Sequence, residues 1–415
     1  MKIAILLLSC AKTARRTTLT ADWFRLLSKE VAQYFLDQSG GRLTCQFTVY
    51  DWMELSITGA KWNAVGPAVG DTARAEAAKK YKFKETDYDR YVLVIDEQVG
   101  TLGVTDYKTD TRIAAVDATP TIFTHELGHA FGANHTQLET PEGPEEYGGP
   151  FCIMGLERGK YAFFDPKLAS PKMGSDRAHS ESGPGMCIPS LSQANWLNID
   201  VSCHRLVPFG NGSLGSTVRI PALNGAPSAS NTIRIGCLID IYDRFIVEYR
   251  HPDTKWDSGL ATRVPAADGW LVIYRSPKQG PLNALQVATL EVKVGDSVAI
   301  DKHPYYFFGA SPLRIYVMSI DRTSRTVDIR VEKQNTKATQ YFPTEGILDF
   351  LQWPIRIEAY VHPDEPVDQI AAGIARLREL RRLERLGGPR AADSMRVAVK
   401  EQVRQLQQMI GRFQT

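Results

Sequence analysis

The chain has no long apolar run and almost no excess of charge of either sign. No stretch reaches the roughly 20 consecutive apolar residues that a membrane-spanning helix needs, so we expect no transmembrane segment. Forty-nine Lys and Arg residues stand against 47 Asp and Glu residues, which leaves a formal net charge of +2. This balance gives no general electrostatic reason to bind nucleic acid or an anionic membrane. Any partner must therefore be recognised by a specific site.

Cysteine is scarce, and its spacing leaves the redox compartment open. The six cysteines are Cys10, Cys45, Cys152, Cys187, Cys203 and Cys237. Cys10 and Cys45 fall at opposite ends of two predicted parallel strands, so a bridge between them is not expected. Bridges within the two later pairs, 152 with 187 and 203 with 237, are plausible, and six reduced, buried thiols are the alternative.

The first 200 residues alternate strand and helix patterns. The spacing predicts strands at 2–9, 42–55, 91–95 and 112–118, and helices at 19–35 and 66–80. This order predicts a mixed or parallel sheet with helices packed across it. The apolar run Ile3–Leu8 resembles the core of a signal peptide, but it is short, so a buried first strand is favoured.

The pattern changes twice along the rest of the chain, and 415 residues exceed what one hydrophobic core usually supports. Short alternating or apolar runs over 201–338, separated by turn residues, predict an all-β sandwich. Helical spacing at 366–386 and 393–413 predicts a C-terminal helical hairpin over 339–415. We expect the hairpin to dock on its own chain or to self-associate, with recruitment of a partner as the alternative.

The most informative segment is Thr124–His135, which contains the pattern HExxHxxGxxH. With this chain's His and Gly frequencies, the pattern should arise by chance in roughly one such chain in 10⁵. His125 and His129 lie four residues apart, so a helix presents both rings on one face to one ion. Chance is therefore a poor explanation of the motif.

The third histidine, His135, reaches the same ion only if the helix ends before it. A continued helix would place this ring on another face, roughly 15 Å along the axis from the first. Gly132 is placed for that break, because glycine takes the left-handed conformation that ends helices at little steric cost. Thr119 and Pro120 suit the cap and the first residue of the helix.

Three neutral imidazoles leave Zn²⁺ one position for water, as in catalytic rather than closed structural sites. Zinc lowers the pKa of bound water towards about 7 and polarises a scissile carbonyl. Glu126 can take the proton of that water and deliver it to the leaving amine. We therefore predict one catalytic Zn²⁺ held by His125, His129 and His135, with Glu126 as general base and acid. A buried helix with incidental histidines and an inactive metal-binding relic are the alternatives.

These residues resemble those of the metzincin clan of zinc metallopeptidases, which share the long motif and a downstream methionine turn. Cys152-Ile153-Met154-Gly155 suits that turn, so the resemblance implies that Met154 forms an apolar floor under the histidines, with ordinary core as the alternative. The preceding residues 146–151 are most similar to the gametolysin family, with a weaker likeness to immune inhibitor A peptidases. The resemblance implies a metzincin-type α/β catalytic domain over 1–200, with a twisted mixed sheet and the zinc helix, ahead of the sandwich and the hairpin.

Two departures from the family pattern change what is expected. Many metzincins carry a tyrosine two residues after the turn methionine, whereas this chain has Leu156, so a tyrosine ligand is not expected. Family members usually carry a signal peptide and an inhibitory propeptide, whereas the first strand here is predicted to begin at residue 2. We expect export by a route without a classical signal peptide, with a cytoplasmic or injected effector as the alternative.

The same likeness implies that the segment just before the zinc helix is a sheet-edge strand that pairs with an extended substrate. Its residues are Arg112, Ile113, Ala114, Ala115 and Val116. An edge strand offers unpaired backbone groups to a peptide, although an ordinary edge without a substrate is the alternative.

Two weaker candidates lie downstream of the motif. His179 could line the pocket for the residue after the cut, although a surface-loop histidine is favoured. Four acidic residues near the methionine turn could bind Ca²⁺, but they lack a recognised ligand spacing, so a solvated loop is favoured. They are Glu139, Glu142, Glu145 and Glu146.

The sequence thus predicts a zinc-dependent endopeptidase that hydrolyses protein or peptide substrates. One alternative is a binding or adhesion module that kept its zinc but has little turnover. Another is an injected or intracellular toxin protease, which differs in delivery alone. The presence of the Glu126 carboxyl group favours the enzyme.

Overall fold

The structure is a computed structural model that describes residues 1–11, 15, 17–56, 68–96, 103–105, 110–140, 143–155, 163–206, 215–227, 233–240, 244–260, 268–276, 284–300 and 313–333. The chain divides into two units, of which the first comprises Met1–Val298 and Ile315–Val331. Of the second, Ala299–Arg314 with Glu332–Thr415, the described residues are 299–300, 313–314 and 332–333. The predicted helical hairpin over 339–415 lies outside the described residues.

A five-stranded sheet forms the amino-terminal part of the first unit. Its strands are β1 (Lys2–Cys10), β2 (Gln46–Leu55), β3 (Arg90–Ile95), β4 (Gly103–Thr105) and β5 (Asp110–Ala114). They lie in the order β2-β1-β3-β5-β4, with β4 antiparallel to β5 and the other neighbours parallel. The described α-helices are α1 (Ala21–Gln38), α2 (Ala68–Tyr81), α3 (Pro120–Ala130), α4 (Ile188–Gln193) and α5 (Ile199–Ser202). Among the described residues, no helix has the length and apolar character to cross a membrane.

Strand β1 lies inside this sheet because its side chains are apolar on both faces. Ile3, Ile5 and Leu7 join the core that contains α1 and α3, whereas alternate residues Ala4 and Leu6 join the core against α2. Side chains of a strand point alternately to its two faces, so an unbroken apolar run requires cover on both. The prediction of a buried first strand is confirmed.

The later strands form three further sheets. The largest contains β6 (Gln137–Thr140), β7 (Gly143–Glu146), β10 (Cys203–Leu206), β12 (Gly236–Asp240), β13 (Arg244–Arg250), β14 (Trp270–Ser276) and β15 (Leu285–Glu291). Its order is β10-β12-β13-β14-β15-β6-β7. A four-stranded sheet has the order β11-β18-β17-β16, from β11 (Thr217–Pro221), β16 (Ser297–Ala299), β17 (Leu313–Asp321) and β18 (Thr326–Lys333). The short strands β8 (Phe163–Phe164) and β9 (Glu181–Ser182) pair with each other.

The predicted fold class, a metzincin-type α/β domain followed by a separate sandwich and a helical hairpin, is wrong. The described residues form eighteen strands in four sheets and five α-helices, so strands dominate. The largest sheet joins β6 and β7, before residue 200, to five strands after it, because β15 pairs in parallel with β6 through Leu285 and Gln137. One core likewise contains both Ile5 and Val272. Periodicity identifies a strand but not its partner, so the sequence pattern missed this pairing. The predicted boundaries at 200 and 338 stay predictions.

A buried arginine links β13 to residues 185 and 186, which lie close to the helix that bears the HExxH motif. Arg250 is completely buried, and its Nη2 donates hydrogen bonds to the Gly185 carbonyl at 3.1 Å and to Asp257 Oδ1 at 2.5 Å. Its Nη1 donates to the Met186 carbonyl at 3.1 Å and to Glu248 Oε1 at 3.2 Å. Burial raises the pKa of Glu248 to about 8, and Arg250 opposes that rise. The shorter contact and the raised pKa of Glu248 make Asp257 the main countercharge of Arg250.

Candidate metal centre

Helix α3 begins and ends where the sequence predicts. The Thr119 hydroxyl accepts a hydrogen bond from the Ile122 amide at 3.1 Å, and Pro120 occupies the first helical turn. The side chain caps an otherwise unpaired amide, and proline loses no hydrogen bond there. The helix ends at Ala130, after three turns, with His125 and His129 on one face.

The chain reverses at Gly132, whose φ is +96°. The Ala133 amide donates to the Gly128 carbonyl at 3.0 Å, and the Gly132 amide donates to the His129 carbonyl at 2.9 Å. These bonds close the helix end, and glycine reaches the required φ without a Cβ clash. His135 is thereby returned towards the helix instead of continuing along its axis.

The three histidines converge through their Nε2 atoms. His129 Nε2 lies 3.2 Å from His125 Nε2 and 2.8 Å from His135 Nε2. Ligand atoms of the three residues all lie within 4.8 Å of one another, close enough to hold one metal ion. Among the described residues, this is the one group of histidine, cysteine and acidic side chains with that property.

The opposite nitrogen of each ring has an acceptor. Nδ1 of His125 lies 2.8 Å from the Ile153 carbonyl, and Nδ1 of His129 lies 2.8 Å from the Ala133 carbonyl. Because a carbonyl can only accept, these nitrogens carry the proton, and both Nε2 lone pairs are left for a metal. The Nδ1 of His135 instead faces a carboxylate.

Burial keeps the helix histidines uncharged. Burial, together with a smaller effect of the neighbouring His129, lowers the pKa of His125 to about 3. Burial also lowers the pKa of His129 to about 4. Both rings are therefore neutral near pH 7, which is the form that binds a metal ion without first losing a proton.

Glu126 presents a buried carboxyl group on the same helix. The residue is 7% exposed, and burial raises its pKa to about 7. Thr105 in β4 opposes that rise, since its Oγ1 lies 2.7 Å from Glu126 Oε2 and also 2.7 Å from the Glu126 carbonyl oxygen. A carboxyl group with a pKa near the working pH can both take and return a proton.

Met154 lies directly against α3. It is completely buried, and a Cβ added at Gly128 would stand 2.6 Å from its Sδ. The absence of a side chain at Gly128 therefore leaves room for Met154 against the helix. The role of Met154 as the floor of a metal site stays a prediction.

The identity of the centre rests on this geometry. Comparison with protein families and with curated proteins finds no match. Any function proposed for the centre therefore rests on the three converging imidazoles and the buried carboxyl group.

The sheet edge lies one strand further out than predicted. Strand β5 pairs with β3 on one side and with β4 on the other, where Arg112 lies opposite Val104. Arg112, Ile113 and Ala114 are thus inside the sheet, whereas Ala115 and Val116 belong to a short 3-10 turn. β4 is the edge strand on this side of the described sheet. Its three residues are too few to show an alternating pattern in the sequence.

The remaining candidates lie apart from the histidine cluster or outside the described residues. His179 Nδ1 lies 2.8 Å from Asp176 Oδ1, and its ring packs edge-on against Trp23. Glu142 and Leu156 lie outside the described residues. Glu139 and Glu145 are on the β6–β7 hairpin, and neither belongs to the metal-binding group. All six cysteines are buried, and none of them forms a disulfide bond.

Three residues around the centre were not assigned these contacts from the sequence. Thr105 contacts Glu126, as described above, and nothing in the local pattern marks it. Glu146 Oε1 lies 2.7 Å from Nδ1 of His135, although its sequence context suggested only a weak calcium candidate. Tyr147 places its ring centroid 4.0 Å from that of His135. These contacts depend on long-range pairing rather than on spacing.

Gly132→Ala is expected to weaken both the fold and the metal centre. A Cβ is strained at φ +96°, so unfolding should become easier by about 1–3 kcal/mol. Relief of that strain would move His135, so zinc affinity should fall as well. Denaturant unfolding and chelator competition measure the two effects.

Gly295→Ala is the matched control for this substitution, because Gly295 has φ +90° and open space around its Cβ position. It should lose similar stability while zinc affinity stays unchanged. Equal zinc affinities of the Gly132 variant and the wild type would show that the helix break does not determine the position of His135.

Proposed function

We propose that the protein is a zinc-dependent endopeptidase whose metal is held by His125, His129 and His135. The observation that carries the proposal is the convergence of three Nε2 atoms beside the helix that bears His125, His129 and the buried Glu126 carboxyl group. Three histidines with an open fourth position are typical of catalytic zinc, whereas structural zinc sites have four protein ligands.

The chemistry of the donors favours zinc over Ca²⁺ and Mg²⁺. Imidazole nitrogen suits Zn²⁺, whereas Ca²⁺ and Mg²⁺ require oxygen ligands. Zinc bound here would lower the pKa of a water molecule to about 7 and polarise a carbonyl group.

Glu126 supplies the proton transfer that peptide hydrolysis needs. Its carboxylate takes a proton from the attacking water and delivers it to the leaving amine. The Thr105 hydroxyl holds one carboxylate oxygen, which restricts the orientation of the group. The other oxygen, Oε1, is then the candidate to exchange the proton.

The position of β4 at one edge of the described sheet supports a peptide as the substrate. Since β4 pairs with β5 on one side, an extended peptide could add along its other side through backbone hydrogen bonds. Thr105 belongs to β4 and contacts Glu126, so a peptide on this edge would lie close to the general base. This arrangement favours cleavage within a chain over removal of a terminal residue.

Metal removal is expected to abolish proteolysis. Purified protein should contain about one zinc per chain, since one open site of three imidazoles holds one ion. It should cleave casein or gelatin, lose cleavage with 1,10-phenanthroline and regain it with added zinc. Mass spectrometry of the fragments would give the cleavage sites.

His129→Ala should lose both zinc and cleavage, because two imidazoles retain the ion poorly. His204→Ala is the matched control, because His204 bonds the Arg219 carbonyl and is outside the cluster. Zinc-loaded wild type that cleaves no protein would favour a binding module instead. Wild type that binds no zinc would exclude both functions.

A further inference from the structure

The three rings of the candidate metal centre are held by different kinds of partner. His125 and His129 stand on a helix, and each bonds a backbone carbonyl through Nδ1. His135 follows the helix break, so no helix fixes its ring. Its Nδ1 lies 2.7 Å from Glu146 Oε1, an ionisable side chain in place of a carbonyl. Of the three, this ring depends most on a side-chain partner.

The β6–β7 hairpin determines where Glu146 lies. Gln137 pairs directly with Glu146, and Gln137 is two residues after His135. Gln137 also pairs with Leu285 of β15, which anchors the hairpin in the larger sheet. The carboxylate is therefore carried to His135 by a fixed strand register rather than by a free loop.

Tyr147 packs against the same ring. Its ring centroid lies 4.0 Å from that of His135, with the two planes inclined by 48°. Its φ of +64° is in the left-handed region that non-glycine residues rarely adopt. Strained backbone of this kind persists where the surrounding structure enforces it, and it is frequent at functional sites.

We propose that Glu146 is a positioning residue, which fixes the ring of His135 so that Nε2 faces the two helix histidines. The carboxylate accepts the Nδ1 proton, which selects the tautomer with a free Nε2 lone pair and increases the basicity of that atom. The inference rests on the metal-binding part of the proposed function and requires no particular substrate.

A purely structural role for the contact predicts a different result. The Glu146 side chain is 60% exposed, and exposed ion pairs contribute little to folding. If the contact only supported the hairpin, its removal would leave zinc affinity unchanged. A positioning role instead predicts lower affinity with little change in stability.

The test compares the zinc dissociation constants of three variants with that of the full-length wild type, by competition with a chromogenic chelator. Glu146→Ala should bind zinc about 10–100-fold more weakly, as is usual when a metal ligand loses its carboxylate partner. Glu146→Gln keeps an acceptor without the charge, so its affinity should fall between those of wild type and the alanine variant. Glu145→Ala is the control, because it removes the same charge from the opposite face of β7.

The visible spectrum of the Co²⁺-substituted proteins provides a second readout. The Glu146→Ala spectrum should differ from wild type, since a shifted ring alters the geometry around the ion, whereas the Glu145→Ala spectrum should not. Denaturant unfolding of the metal-free proteins shows whether a variant is misfolded. If the alanine variant is unstable, the comparison with wild type uses Glu146→Gln instead.

Wild-type affinity and spectrum in both Glu146 variants would overturn the positioning role while the metal centre stands. No zinc binding by wild type would overturn this inference and the proposed function together.

Discussion

Glu126→Gln is expected to lower kcat/KM for a peptide substrate by about 10²–10⁴-fold, the usual contribution of general acid–base catalysis. Glutamine has almost the same shape and can still accept the Thr105 hydrogen bond, but it cannot take a proton from water. Zinc binding should persist, because the three imidazoles are unchanged. Turnover of a fluorogenic peptide and zinc content by atomic emission measure the two properties.

Stability provides an internal check on this substitution. Burial raises the pKa of Glu126 to about 7, so the surroundings disfavour its charged form. A neutral amide avoids that cost, and the variant should unfold no more easily than wild type. Glu145→Gln, at an exposed position on β7, should keep full activity. Unchanged turnover of Glu126→Gln with zinc bound would remove this residue from the mechanism.

Arg250→Met is expected to destabilise the fold by about 3–5 kcal/mol, because it breaks a buried ion pair on one side only. Asp257 would keep a buried carboxylate without its main countercharge, and the carbonyls of Gly185 and Met186 would each lose the hydrogen bond that Arg250 donates. Methionine fills much of the volume of the arginine side chain. The loss of stability therefore comes mainly from the lost charge and hydrogen bonds, and less from a cavity. Denaturant titration followed by tryptophan fluorescence gives the free energy of unfolding.

Arg244→Met on the same strand is the comparison for this prediction. Arg244 pairs with Asp200 at 2.9 Å, but both side chains are partly exposed, so the expected loss is below about 1 kcal/mol. A similar small loss for both variants would show that the buried network contributes little to stability. Replacement of Arg250 and Asp257 together should recover part of the loss, since no buried charge is then left unpaired.

Local features of the sequence predicted helix α3 well, because its limits depend on neighbouring residues. The Thr119 cap, Pro120 and the Gly132 turn each act within one helical turn, and the structure has all three in place. The burial of β1 could be predicted for a similar reason, because an apolar run of its length requires cover on both faces.

Features that depend on distant pairing were missed. Strand β15 pairs with β6 across about half the length of the first unit, and no periodicity reports such a partner. The edge strand β4 is three residues long, and the contact of Glu146 with His135 depends on the register of a hairpin. The wrong prediction of the fold class and the wrong position of the edge strand both arise because local sequence patterns do not show which strands pair.

The pairing of β6 with β15 makes the third histidine dependent on sequence far downstream. Gln137 follows His135 closely and is hydrogen-bonded into a sheet built largely from residues after 200. The position of His135 in the histidine cluster therefore depends on residues after 200 as well as on the amino-terminal part of the chain. We therefore expect substitutions in β14 or β15 to alter the metal affinity of the cluster, although they change none of the three histidines.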